Sequence, residues 1–212
     1  MTNTLILGAN GSIAQMVEAD LLAKPDQHLT LYLRDSKRLE NLSDNSQVTL
    51  VEGDVLDEAK LQVAMKGQDI VFVAMGATST PKLIENVITA MKAENVKRVI
   101  SINDLGIYGE VPGKFGKWNQ SMVGSGLSVG KESDELLEKS GLDYTTLRLA
   151  WLGNGDDSDF ETTQKGQPFK GTTVNRKGVA KLVTGIILDP KLYDKESIGV
   201  NRPGTEGDQP VF

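Results

Sequence analysis

Leu5-Ile6-Leu7-Gly8-Ala9-Asn10-Gly11-Ser12-Ile13-Ala14 joins a short apolar run to a stretch of helical spacing, and its glycines stand where a strand must turn sharply into a helix. Thr4–Leu7 reads as the strand. From Ser12 to about residue 23, Ile13, Val17 and Leu21 fall at i, i+4 and i+8, one apolar stripe able to lie on a sheet. Gly8 allows the turn off the strand, Gly11 lacks a Cβ and lets a diphosphate approach the backbone, and Ala14 is small enough for helix and sheet to close together. Asn10, Ser12 and Ile13 complete the candidate cradle, with the free N–H groups of the first turn and the positive end of its dipole facing one point. The spacing is GxxGxxA, not GxGxxG, and a glycine-rich turn by itself is weak evidence. What separates it from a purely structural turn is context: strand, helix opening and a second βαβ strand all fall where dinucleotide binding requires them.

Working outward, further strands are expected at Leu29–Leu33, Val48–Val51, Ile70–Ala74, Arg98–Ile102, Tyr144–Leu149 and Ser197–Val200. Helices are expected at about 36–41, 57–65, 81–94, 131–139 and 178–188, with Thr80-Pro81 forming an N-cap followed by proline at the first helical position. Strands joined by helical crossovers run parallel, so the class is α/β, a Rossmann-type doubly wound sheet. Glycine at 106, 109, 113, 116, 124, 126 and 130 makes Asn103 to Gly130 read as a long ordered loop over a site. Asn154 to Thr173 reads as irregular, and the tail from Arg202 as surface or partly disordered chain. Residues 1–212 are thus expected to form one dinucleotide-binding domain, with roughly 150–212 contributing a small substrate-side lobe.

The 212 residues contain 23 Lys plus Arg, 29 Asp plus Glu, one His and no Cys, for a formal charge of −6. The absence of cysteine excludes disulfides, thiolate nucleophiles and cysteine-bound zinc or iron–sulfur sites. His28 stands alone, without an HExxH or GxSxG segment near it, so a serine triad or a zinc hydrolase is disfavoured and no metal is expected. The acidic balance argues against nucleic acid as a partner. The longest apolar run, Ile70 to Ala77, is far short of the ~20 residues that span a bilayer. A cytoplasmic protein with a small-molecule substrate and no membrane partner is expected.

Other strand tips should line the same crevice, because ligands of such sheets sit outside the carboxyl ends of the strands. The second tip reads Leu33-Arg34-Asp35-Ser36-Lys37-Arg38. A guanidinium at Arg34, with Lys37 and Arg38 adding positive field, suits the 2′-phosphate of NADP; Asp35 keeps NAD as the alternative. Asp54 and Val55 follow the third strand, where Asp54 either accepts from an adenine amino group or merely caps a helix. Ala74, Met75, Gly76 and Ala77 follow the fourth, where Met75 and Gly76 would wall the adenosine.

Gly8-Ala9-Asn10-Gly11, Leu33-Arg34-Asp35, Gly53-Asp54-Val55, Gly106-Ile107-Tyr108-Gly109-Glu110 and Ser140-Gly141-Leu142-Asp143-Tyr144-Thr145 together resemble the atypical short-chain dehydrogenase/reductases, nearest to their NmrA-like and epimerase/dehydratase-like branch. The resemblance spans nearly the whole chain. It implies a Rossmann fold with NAD(P) across strands one, two and four. Active members of the family usually carry Ser, Tyr and Lys, the last two spaced YxxxK. Here Lys131 has Leu127 four residues before it, Asn103-Asp104 stands where the family has Ser-Ser, and Arg148-Leu149 replaces Arg-Pro.

Hydride transfer to a carbonyl needs a group that protonates or stabilises the developing alkoxide. Lys131 is the candidate for holding the nicotinamide ribose, and Tyr108 or Asp104 for supplying the proton. Tyr108 as a packed loop aromatic and Lys131 as a solvated cation are the competing readings. Reduction of a conjugated ring system demands less acid catalysis and suits the missing tyrosine. Phe115, Trp118 and Trp151 would either stack on a flat substrate or belong to the core. Two functions follow: an NAD(P)H-dependent oxidoreductase delivering hydride to a small carbonyl, quinone or conjugated acceptor, or a non-catalytic NAD(P) redox sensor that signals to a partner protein. A sugar-nucleotide epimerase or dehydratase is a third, weaker reading.

Overall fold

A computed structural model describes residues 1–76 and 80–212. In chain order these form β1 (Thr2–Leu7), α1 (Ser12–Leu22), β2 (Gln27–Leu33), a 3-10 segment (Ser36–Leu42), β3 (Val48–Glu52), α2 (Glu58–Met65), β4 (Ile70–Val73), α3 (Pro81–Ala93) and β5 (Arg98–Asp104). There follow α4 (Gly113–Val123), α5 (Gly126–Lys139), β6 (Asp143–Leu149), β7 (Trp151–Gly153), β8 (Glu161–Gln164), β9 (Thr173–Asn175), α6 (Arg176–Leu188) and β10 (Glu196–Asn201). Ala77, quoted above with the fourth strand tip, lies outside the described residues.

The main sheet has eight strands in the order β3-β2-β1-β4-β5-β6-β10-β8, parallel throughout except where β8 pairs antiparallel with β10. Strand order reverses between β1 and β4, so the chain leaves β1 and β4 toward opposite sides and a crevice opens at their carboxyl ends. The doubly wound α/β class expected from the sequence is the class observed.

Alternation along the strands divides the core in two. Ile6, Leu31, Phe72, Ile100 and Leu147 face the layer of α1 and α6, where Val17, Leu21, Val183 and Ile186 are fully buried. Leu5, Leu7, Val71, Val73 and Val99 face α2, α3 and α5, with Leu61, Ile84, Val87 and Leu137. With both faces covered, neighbouring residues such as Leu5-Ile6-Leu7 and Ile70–Val73 are apolar on both sides, and there the period-2 signal that marks a half-exposed sheet disappears. Truncating one of these, such as Leu21→Ala, would cost about 2–5 kcal/mol.

Three expectations need correction. Residues 103–130 are not one long ordered loop: they hold α4 and the beginning of α5. The glycines there permit close approach. A Cβ on Gly130 would lie 2.6 Å from Asn103 Oδ1, and one on Gly116 would lie 2.0 Å from the Val111 carbonyl oxygen. Composition alone does not distinguish glycine used for contact from glycine used for freedom. Next, Asn154 to Thr173 is not wholly irregular, because β8 adds an antiparallel edge strand to β10. Finally, the tail is mostly surface chain, as expected, but it is anchored: Thr205 is buried, Thr172 Oγ1 donates to its carbonyl oxygen, and Thr173 Oγ1 donates to the Val211 carbonyl at 2.6 Å.

Candidate functional site

At the end of β1, Gly8 adopts φ +82°, and a Cβ there would lie 2.5 Å from Met75 Cγ, so both conformation and space favour glycine. Its N–H donates to the Tyr32 carbonyl at 3.0 Å, and Gly11 N–H donates to the Gly8 carbonyl at 2.9 Å, which closes the turn. Gly11 is the N-cap of α1, no side chain among the described residues caps the helix, and its first turn contains no acidic residue. The N–H groups at Ser12 and Ile13 therefore stand at an uncompensated positive helix end, the condition for an anion site. Gln15 Nε2 donates to the Asn10 carbonyl at 2.9 Å and fixes the outer side of the turn.

Two clefts meet at this turn. The outer one, about 760 Å³, is lined by Gly8, Asn10, Gly11, Arg34, Asp54, Val55, Met75 and Gly76 among others. The inner one, about 570 Å³, is lined by Gly11, Ser12, Ile13, Ala74, Gly76 and Asp104, with Leu105, Val123, Leu149, Trp151 and Arg176. Gly11 and Gly76 border both, so the two spaces form one trough passing over the helix end. Gly8, Asn10, Gly11, Ser12, Ile13, Arg34, Asp54, Val55, Ala74, Met75 and Gly76 all border it, whereas Lys37 and Lys131 do not.

Around the outer cleft, Tyr32 is buried and its hydroxyl donates to the Asp54 carbonyl at 2.9 Å; burial, with Asp57 and Asp54 nearby, pushes its pKa to about 12. Asp54 Oδ1 accepts from Leu56 N–H at 2.9 Å, a local turn that occupies part of the carboxylate. Asn86 Nδ2 donates to the Val55 carbonyl at 3.2 Å and tethers this tip to α3. At the β2 tip Arg38 pairs with Asp35 at 3.3 Å, while Arg34 makes no ion pair among the described residues. The Glu52 carboxylate accepts both the N–H and the hydroxyl of Ser36, which lowers its pKa and holds the tip of β2 to β3.

The inner cleft is mostly apolar. Its titratable lining residues are Asp104 and Arg176. Asp104 ends β5, and its backbone N–H donates to Asn103 Oδ1 at 2.8 Å. Burial raises its carboxyl above the ordinary range. Trp151 Nε1 donates to Asn119 Oδ1 at 2.9 Å, and the Trp151 ring lies 4.9 Å from that of Trp118, which stacks on Phe115. Of the three aromatics singled out, Trp151 lines the cleft; Phe115 is core, with Trp118 packed against it.

Tyr108 and Lys131 are not brought into the trough. Lys131 lies one turn into α5, not at its head, and borders a separate cavity with Lys117, Ser128 and Gly109. Tyr108 donates its hydroxyl to Asp134 Oδ2 at 2.7 Å, and burial together with that carboxylate raises its pKa. Beneath it, Glu110 forms an ion pair with the fully buried Arg148 and accepts from the N–H groups of Gly106 and Tyr108. The 106–110 segment is thus held by its own buried polar network and does not close over the site. Arg176 was missed by sequence reasoning. It is the first residue of α6, and the parallel pairing of β9 with β7 delivers it beside Trp151–Gly153, a pairing with no local sequence signal. No group of His, Cys, Asp and Glu that could hold a metal occurs among the described residues, and none of the described helices is long and apolar enough to cross a membrane.

Comparison with known proteins agrees with this geometry. Residues 8–190 match a family model described as NAD(P)H-binding. A short-chain dehydrogenase/reductase from Veillonella parvula DSM 2008, solved in complex with NADP, is 34% identical with a TM-score of 0.93, covering 100% of this chain and 99% of that one. A Rossmann-fold NAD(P)-binding family protein from Shigella flexneri is 39% identical with a TM-score of 0.84, at 100% and 99% coverage. A Bacillus subtilis (strain 168) protein described as the uncharacterized sugar epimerase YhfK is 27% identical over 220 residues, 97% of this chain and 95% of that protein.

Proposed function

The chain belongs to the NAD(P)H-binding family, and on that premise we propose that it is an NADPH-dependent oxidoreductase whose acceptor, a small carbonyl, quinone or conjugated compound, lies in the inner cleft beside Asp104. The observation that carries this reading is the continuity of the two clefts over an uncapped helix end. The outer half suits an adenosine and the inner half a nicotinamide with its acceptor, with the diphosphate between them on the Gly11–Ile13 amides.

When bound, the coenzyme supplies a hydride. This chain's residues bind, orient and protonate. The unpaired Arg34 favours a 2′-phosphate, whereas Asp35, already paired with Arg38, is poorly placed to accept ribose hydroxyls; the NADP held by the Veillonella parvula relative supports the same choice. Leu105, Leu149 and Trp151 give the inner cleft an apolar wall. Asp104, whose carboxyl burial raises above the ordinary carboxylate range, is the group at this end of the trough that gives its proton to the reduced acceptor. It replaces the phenol that the family usually employs.

Mixing the protein with NADPH and a panel of quinones, flavins and aldehydes, and following nicotinamide absorbance, tests the proposal. Oxidation that drops in Asp104→Asn is the expected result. Tight NADPH binding with no oxidation across the panel would transfer the assignment to a redox sensor.

A further inference from the structure

We propose that the acceptor carries a carboxylate on a flat apolar body and that Arg176 anchors that carboxylate. This rests on the oxidoreductase reading only in calling the ligand an acceptor. Arg176 is half-buried and its Nη1 donates to the carbonyls of Leu152 and Gly153, at 3.4 and 3.2 Å, and to Asn154 Oδ1 at 2.6 Å. Those three bonds fix one corner of the guanidinium. Neither Nε nor Nη2 has a hydrogen-bond partner among the described residues, although the side chain lines the inner cleft. What remains is the Nε–Nη2 edge, two parallel donors spaced to match the two oxygens of a planar carboxylate.

The surroundings strengthen that match. Apart from Arg176 and Asp104 the cleft wall is largely apolar, with Leu105, Val123, Leu149 and Trp151, and Asp104 forms no ion pair with Arg176. A fixed cation in an apolar wall, with no carboxylate of the protein against it, recruits an anion from its ligand, because leaving both donors unmade in a desolvated complex is costly. Trp151 belongs to the same wall, its indole held by the bond to Asn119, and is the aromatic there on which a flat ligand would pack. A neutral ligand of the same shape would fill the cleft and leave the guanidinium edge unsatisfied.

The test uses the 212-residue chain, first titrated with NADP⁺ and then, with and without NADP⁺, with 2-naphthoate and its neutral counterpart 2-naphthamide by calorimetry. Wild type is expected to bind the acid at least ~10-fold more tightly than the amide. Arg176→Gln should bring the ratio close to one, Arg176→Lys should restore part of it, and both variants should keep wild-type affinity for NADP⁺, with thermal melts showing that both fold. Three results would overturn the inference: no preference for the acid in wild type, an unchanged preference in Arg176→Gln, or a parallel loss of NADP⁺ affinity, which would give Arg176 to the coenzyme diphosphate. Failure of wild type to bind NADP⁺ would instead defeat the oxidoreductase reading, and the acid-to-amide ratio without coenzyme would still decide the role of Arg176.

Discussion

The Tyr108 hydroxyl donates to Asp134 Oδ2 at 2.7 Å, and Ser197 Oγ donates to the same oxygen at the same distance. A phenol whose proton is committed to a buried carboxylate outside the trough is a structural element, and its neighbour Glu110 shows the same economy by accepting from Arg148 and two backbone N–H groups. Tyr108→Phe should therefore cost about 1–3 kcal/mol, as expected for losing a hydrogen bond to a charged group, without altering NADPH affinity. Chemical denaturation and coenzyme titration check both halves. A 100-fold fall in turnover with unchanged stability would return Tyr108 to the chemistry.

Arg148 and Glu110 are both sequestered from solvent. Arg148→Met alone leaves a buried carboxylate without its counter-ion and should destabilise the protein by about 3–5 kcal/mol. Adding Glu110→Gln should recover a large part of that loss. Denaturation midpoints of the two single variants and the double variant measure the coupling directly, and strict additivity would contradict it.

At the β2 tip, Arg34→Glu should reverse the sign of the field offered to a 2′-phosphate. The expected outcome is a shift of at least ~10-fold in the NADPH-to-NADH affinity ratio toward NADH. Parallel titrations of both coenzymes into wild type and variant provide the check; an unmoved ratio would remove Arg34 from coenzyme recognition.

If Asp104 is the proton donor, activity requires its protonated form. Burial raises its pKa, so kcat/KM should hold below that raised value and fall as pH climbs through it. Asp104→Asn should lower the plateau and abolish that alkaline limb. A variant profile with the same limb would assign the titration to another group.

Glu18 in α1 is 2% exposed, its Oε1 has no hydrogen-bond partner among the described residues, and burial pushes its pKa to about 8. The folded state therefore retains a proton that the unfolded chain releases near 4.5, and stability should decline as pH rises from about 4.5 to about 8, then level off. Glu18→Gln removes this dependence and should gain a few kcal/mol by pH 8. Melting curves across that range would show the two proteins converging at acid pH, and a pH-independent difference would refute it.

The parts legible in sequence were those governed by local rules. Gly8, Gly11 and Ala14 are recognisable because a strand-to-helix turn places strict demands on size and φ within seven residues, and Arg34 and Met75 follow from the strand-tip rule. Arg176 was invisible because β7 and β9, which bring it to Trp151, are three-residue strands paired across a long connection. The 103–130 region misled for a different reason. Gly116 and Gly130 look like loop glycines, yet their function is to let helices touch Val111 and Asn103, contacts defined only in three dimensions.

Calorimetric titration of NADPH into the purified chain and into Gly8→Val is the most direct measurement. Binding that saturates at a single coenzyme per chain, and is lost in the variant because a branched side chain at φ +82° would displace Met75 and deform the turn, is the expected result. No heat with the wild-type protein, or undiminished affinity in Gly8→Val, would show that the turn after β1 does not hold the diphosphate.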